Sequence, residues 1–195
     1  MILRKVKPEI RIIGIDDSPF GPKTKRVLVV GAVFRSGKYL EGVVSCWIKK
    51  DGTDATAEMT RLVNRSKHRG QLRVIMLNGI AVGGFNVIDI QKLSEKTGLP
   101  IIVVVRRKPN FDDIKRALSK FKDKKRRLAT MLKAGEVYEL SHKDRKVYFQ
   151  VFGIDRQTAE DVIRQSATRS LVPEPVRVAH IIGSGIVLGE TRGRV

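Results

Sequence analysis

The stretch Arg11-Ile12-Ile13-Gly14-Ile15-Asp16-Asp17 decides the fold. It is an apolar, β-branched run that ends on two adjacent carboxylates, and turn chemistry follows at once in Ser18-Pro19-Phe20-Gly21-Pro22. Residues 27–34 and 40–48 read as two further strands joined by Arg35-Ser36-Gly37-Lys38, a hairpin signal, so the first three strands form an antiparallel meander. Asp51-Gly52-Thr53-Asp54 breaks the pattern. Asp54 stands as N-cap of a helix over 55–66, with Met59, Leu62 and Val63 as its apolar stripe. Residues 72–77 are a buried strand, the Gly-rich segment 78–84 follows, and a helix over 86–96 closes at Gly98-Leu99-Pro100. Ile101 to Val105 is a continuous apolar run of the kind a parallel sheet buries on both faces. The order β-β-β-α-β-α-β predicts an α/β fold, a mixed sheet with helices on both faces.

Beyond Val105 the character changes. Residues 106–127 hold 11 Lys or Arg and three acids. Ile114, Ala117, Leu118 and Phe121 recur there at helical spacing, which predicts one amphipathic helix whose basic face lacks acidic partners at i,i+4. Residues 136–140 and 146–151 read as a second hairpin, and residues 155–168 as a helix capped by Asp155. Pro173-Glu174-Pro175 leads into a small-residue helix that contains His180.

Composition narrows the function classes. At 195 residues with 42% hydrophobic content, the chain is expected to form one domain with one sizeable core. Cys46 is the single cysteine, which excludes a disulfide framework and a Cys-based zinc site. The first ten residues carry Arg4, Lys5, Lys7 and Pro8 without a long apolar run, and no stretch is long enough to span a membrane, so a cytoplasmic protein is expected. Thirty-nine Lys or Arg against 20 acids leave a net charge of +19. Ion-pair networks would raise Glu together with Lys; an unbalanced excess instead produces a field that attracts polyanions, and nucleic acid is the expected partner.

Asp16, at the end of an apolar strand in the middle of a sheet, stands where a carboxylate can hold a hard cation; it can equally cap the turn that follows. Asp54 has the same two readings, helix cap or cleft carboxylate. His180 sits among apolar residues, the usual setting of a core histidine. The segment 78–84 can turn backbone N–H groups of Gly79, Gly83 and Gly84 toward an anion, although it lacks the spacing of a P-loop or a dinucleotide fingerprint. Trp47, on a strand, is expected in the core, with stacking on a base as the other reading.

Taken together, Gly14-Ile15-Asp16-Asp17-Ser18, Asp51-Gly52-Thr53-Asp54-Ala55-Thr56, Asn78-Gly79-Ile80, Gly84-Phe85-Asn86-Val87-Ile88-Asp89 and Pro173-Glu174-Pro175-Val176-Arg177-Val178-Ala179-His180 resemble endonuclease V. They resemble more closely an archaeal family of endonuclease V-like proteins. The resemblance implies a ribonuclease H-like fold with a five-stranded mixed sheet, and a DNA-repair type of endonuclease that uses Mg²⁺ or Mn²⁺ to hydrolyse DNA or RNA near a deaminated base. It implies Asp16 as the central metal ligand, Asp54 in place of a glutamate, and His180 where the family keeps an Asp or His. Arg106 or Arg107 would meet the scissile phosphate, and Lys108, Lys115, Arg116, Lys124 and Lys125 would follow the strand. Asn78 stands at a catalytic position where an Asp is implied, so a nucleic-acid-binding protein that kept the fold and lost the reaction is the other reading. Asn78-Gly79 is also a deamidation-prone pair, and deamidation would restore the carboxylate. The Pro-Tyr-Ile-Pro wedge of endonuclease V is absent; Ser45-Cys46-Trp47-Ile48-Lys49 occupies that neighbourhood.

The charge alone sets a first test. Binding to a generic oligonucleotide is expected at low salt and should fall about a thousandfold between roughly 50 and 200 mM salt. Filter binding across that series checks it, and no binding even at low salt contradicts the polyanion reading.

Overall fold

The computed structural model describes residues 6–142 and 145–191; the first five residues of the N-terminal segment, read above for targeting, lie outside them. The expected meander is present: β1 (Arg11–Asp17), β2 (Arg26–Arg35) and β3 (Tyr39–Lys49) pair antiparallel in succession. α1 (Ala55–Arg65) then returns the chain to β4 (Val74–Asn78), which lies parallel to β1 with Ile15 opposite Leu77. The small pair β5 (Ala81–Val82) and β6 (Asn86–Val87) occupies the Gly-rich segment. α2 (Ile90–Thr97) leads to β7 (Ile101–Val105), parallel to β4.

The sheet has seven strands in the order β3-β2-β1-β4-β7-β9-β8, not five. The two extra strands are the second hairpin, β8 (Tyr138–His142) and β9 (Arg145–Phe152), which docks antiparallel on β7. Leu140, Val147 and Phe149 all bury into the core, so docking satisfies β7's free backbone edge and hides this apolar face in one step. The single basic helix is also revised. It is two helices, α3 (Phe111–Leu118), capped by Asn110, and α4 (Lys124–Leu132), because the backbone between them tightens into turns in which the N–H groups of Ser119, Phe121 and Lys124 donate three residues back. α5 (Arg156–Ser166) and α6 (Glu174–Leu188) complete the chain.

The alternation of β1 sorts the core into two layers. Ile13 and Ile15 pack with Met59, Val63 and Leu93 of α1 and α2 on one face. Ile12 packs on the other face with Val162 and Ile163 of α5 and Val176 of α6. Gly14 and Asp16 point to that second face. A Cβ on Gly14 would lie 2.1 Å from the carbonyl carbon of Pro175, so α6 sits directly on the β1 backbone. Further along the seam a Cβ on Gly183 would lie 2.8 Å from Ser18 Oγ. No helix among the described residues is long and apolar enough to cross a membrane.

Gly14→Ala is therefore expected to cost about 3 kcal/mol or more, because backbone and not a movable side chain blocks the methyl group. Gly70→Ala, with open space around it, should stay within about 0.5 kcal/mol. Denaturant titration of the two variants checks the contrast; equal stabilities would contradict the seam.

Candidate active site at the carboxyl end of the central strands

The parallel register of β1 and β4 sets Asp16 beside Asn78 at the carboxyl ends of two central strands. Asp16 is only 2% exposed. Its Oδ1 accepts the Asp17 N–H at 2.9 Å. Its Oδ2 accepts the Asn78 Nδ2–H at 3.0 Å and faces His180 Nδ1 at 2.9 Å. Burying a carboxylate is costly unless its lone pairs are satisfied or it holds a cation, and here three groups converge on it.

His180 reaches Asp16 because the start of α6 is fixed. The buried Glu174 carboxylate accepts from Thr168 Oγ1 at 2.7 Å and from Arg177 Nε and Nη2 at 2.9 and 2.6 Å. Burial alone would raise the Glu174 carboxyl; Arg177 and Thr168 outweigh it and hold the group below the usual range. The Pro-Glu-Pro…Arg segment thus clamps the helix one turn before His180. The hydrogen bond to Asp16 raises the His180 pKa, against partial burial and the repulsion of Arg106, which brings Arg106 into the site's electrostatics. Asp17 points to the opposite face, where its Oδ2 accepts the Gly83 N–H at 2.7 Å. Burial first, and then the neighbouring Asp16 charge, push Asp17 up to about 6.

Other candidates are placed differently. Asp54 is not gathered with Asp16 and His180, and among the described residues no group of three His, Cys, Asp or Glu could hold a metal. Asp54 Oδ1 accepts from Asn86 Nδ2 at 2.6 Å, and both its oxygens lie 3.2 Å from Lys49 N. It makes no side-chain cap either; the buried Asn86 takes that task, accepting the Ala55 N–H through Oδ1 at 3.0 Å. The Gly-rich segment offers less to an anion than expected. Gly83 N–H is committed to Asp17, Gly79 N–H donates to Val104 O, and Gly84 sits against Asp51. The Gly79 bond also engages the nitrogen that deamidation of Asn78 would need.

The basic segment is more tightly paired than its sequence reading. Asp112 pairs Lys115, Asp113 pairs Arg116, and Asp123 pairs Arg126 at i,i+3 and Arg127 at i,i+4. Arg106, Arg107, Lys108, Lys124 and Lys125 are exposed. Arg127, by contrast, is 7% exposed and structural. Its guanidinium donates to the carbonyls of Gly52, Phe85 and Asp51, and it stacks 4.6 Å from the Phe121 ring centroid. It ties α4 to the loops that flank the site. Sequence reasoning missed Arg127 and Asn86 because the backbone groups they bind are tens of residues away, and one Arg in a basic run carries no positional signal.

Arg127→Leu leaves three carbonyls without their donor and is expected to cost about 3 kcal/mol. Arg116→Leu, losing only an exposed ion pair, should cost under about 0.5 kcal/mol. Thermal unfolding of both variants checks this, and a neutral Arg127→Leu contradicts the clamp.

Comparison with known proteins places this arrangement. The family model described as Endonuclease dU matches residues 8–187. A UPF0215 protein of Methanothermobacter thermautotrophicus is 50% identical over 192 residues, covering 97% of this chain and 94% of the relative. A UPF0215 protein of Pyrococcus furiosus is 44% identical over 193 residues, with 97% and 98% coverage. Among solved structures, a protein of unknown function from Archaeoglobus fulgidus superposes with a TM-score of 0.83 at 36% identity, covering 92% of this chain and 99% of the other. Human endonuclease V gives a TM-score of 0.56 at 18% identity, with 88% and 81% coverage. Endonuclease V of Ciona intestinalis, in complex with DNA containing an inosine, gives 0.59 at 12% identity, with 88% and 83% coverage. At those identities the two endonucleases speak for the fold alone, an α/β fold of the endonuclease V, ribonuclease H-like kind. On the match that runs through nearly the whole chain, this protein belongs to the endonuclease dU family.

Proposed function

We propose that this protein is an endonuclease that hydrolyses phosphodiester bonds in DNA or RNA with Mg²⁺ or Mn²⁺, beside a deaminated base. The observation that carries the reading is the buried Asp16 carboxylate, held between Asn78 and His180 at the carboxyl ends of β1 and β4. Deoxyuridine, the deamination product of deoxycytidine and the nucleoside in the family's name, is the first substrate to try.

The residues present fit a weak, water-rich cation site. Mg²⁺ is commonly held by one or two carboxylates together with substrate phosphates, and Asp16 supplies the carboxylate, the Asn78 amide an oxygen and His180 an imidazole. Bound there, a divalent cation supplies charge neutralisation at the phosphate and a water of lowered pKa. Asp16 orients the site. His180, its pKa raised by the hydrogen bond to Asp16, keeps a proton on Nδ1 toward that carboxylate and leaves the Nε2 lone pair, which would be the imidazole ligand of that site. The exposed Arg106, Arg107 and Lys108 hold the strand at the end of β7. Asp54, tied to Asn86, stands outside this set and shapes the neighbouring loop.

Asn78 favours a second reading, a nucleic-acid-binding protein with little or no cutting. Its amide donates to Asp16 where a carboxylate would add a negative charge. One charge at about 4 Å is worth roughly 4 kcal/mol at an effective dielectric of about 20, before desolvation. A cleavage assay with Mg²⁺ and Mn²⁺ decides between them, using single- and double-stranded substrates with and without deoxyuridine or inosine. Metal-dependent cutting that falls about a hundredfold or more in Asp16→Ala is the expected outcome. Binding without cutting, with cutting gained in Asn78→Asp, establishes the second reading; cutting unchanged in Asp16→Ala overturns the assignment of the site.

A further inference from the structure

Four of the large apolar side chains that the fold leaves uncovered, Phe20, Trp47, Val187 and Leu188, share one pocket near the carboxyl end of β1. α6 lies over β1 and β2, and the side of β3 that carries Trp47 stays open. Trp47, expected in the core, is 49% exposed. With Pro19, Phe20, Leu28, Val187 and Leu188 it lines a pocket of about 410 Å³. A clustered apolar surface on so basic a chain marks an interaction site.

Its rim is cationic. Arg26 lines both this pocket and an adjoining groove of about 970 Å³ that also holds Lys25, Lys49 and Lys50. Arg26 Nη2 lies 3.5 Å from Trp47 O, and Lys50 Nζ lies 5.5 Å from the Phe20 ring centroid. The carboxylates of that groove are engaged within the fold: Asp51 accepts the Phe85 N–H, Asp54 is bonded to Asn86, and Glu58 pairs with Arg61. Aromatic faces beside a basic groove are the recurring means of binding single-stranded nucleic acid, bases on the rings and phosphates on the cations.

The pocket and the site are borne by the same two segments. Pro19 and Phe20 follow Asp16-Asp17 directly in the chain, and α6 carries both His180 and Leu188, about 12 Å apart along its axis. That is the length of about three or four stacked nucleotides at roughly 3.4 Å each.

We propose that this pocket takes one unstacked nucleobase of the bound strand, against Phe20 and Trp47, with neighbouring phosphates on Lys25, Arg26, Lys49 and Lys50. The assignment rests on the nucleic-acid reading above and extends it to unpaired strands.

Trp47 is the only tryptophan of the chain, so its emission reports the pocket. The full chain is titrated with a short single-stranded DNA oligonucleotide in the presence of chelator, and anisotropy of a dye on the oligonucleotide follows binding in parallel. Saturable quenching of Trp47 at the anisotropy midpoint is expected, with weaker quenching by a fully paired duplex. Trp47→Leu should weaken single-strand binding about tenfold, and Trp47→Phe, which keeps an aromatic face, by no more than about threefold. Binding by anisotropy with unchanged Trp47 emission and unchanged affinity of Trp47→Leu overturns the pocket and leaves the nuclease reading standing. No anisotropy change at low salt overturns that reading, and the pocket with it. A sedimentation dimer whose formation shifts Trp47 emission assigns the surface to a second copy and overturns the proposal.

Discussion

One buried carboxylate ties the two halves of this structure together. Asp16 sits at the end of the central strand, takes a hydrogen bond from its neighbour on β4 and faces a histidine carried by the last helix. The strand, the parallel crossover through α1 and the C-terminal helix must all be in place before those groups meet. The direct seat of α6 on Gly14 and the Glu174–Arg177 clamp are what bring His180 there. Stability and chemistry therefore share one seam: packing that fixes the helix also fixes the imidazole.

Two networks support the seam from the opposite face. Asp17 holds the Gly83 N–H, and Arg127 gathers the carbonyls of Gly52, Phe85 and Asp51, so the loops after β3 and β5 are drawn against the same end of the sheet. A cost follows. Asp17 is held ionised only against burial and the Asp16 charge, and Asn78 in place of a carboxylate relieves that crowding of negative charge. The amide thus gives Asp16 a hydrogen-bond donor where a second carboxylate would repel it.

Much of this was legible in the residues. The apolar runs of β1, β4 and β7 and the hairpin of β2 and β3 follow from local pattern, as do the cap at Asp155 and the stop at Gly98. The resemblance pointed to Asp16, Asn78 and His180, which the fold does bring together. What escaped was set by distance in sequence. The second hairpin was visible, but its place on β7 depends on a free edge that only the assembled sheet presents. Asn86 takes the capping task expected of Asp54, to which it is bonded across 32 residues. Arg127 reads as one more surface cation and is a buried clamp, while Trp47 reads as core and is exposed because α6 stops short of covering β3. The basic segment's partners were within reach, at i,i+3 and i,i+4, and the weight of its net charge hid them.

The central claim is that Asp16 holds a divalent cation and that Asn78 limits how tightly. Mn²⁺ titration followed by electron paramagnetic resonance tests it without any substrate, on the native chain, Asp16→Asn and Asn78→Asp. Weak binding by the native protein, loss in Asp16→Asn and binding at least about tenfold tighter in Asn78→Asp are predicted. The same affinity in all three would contradict the account.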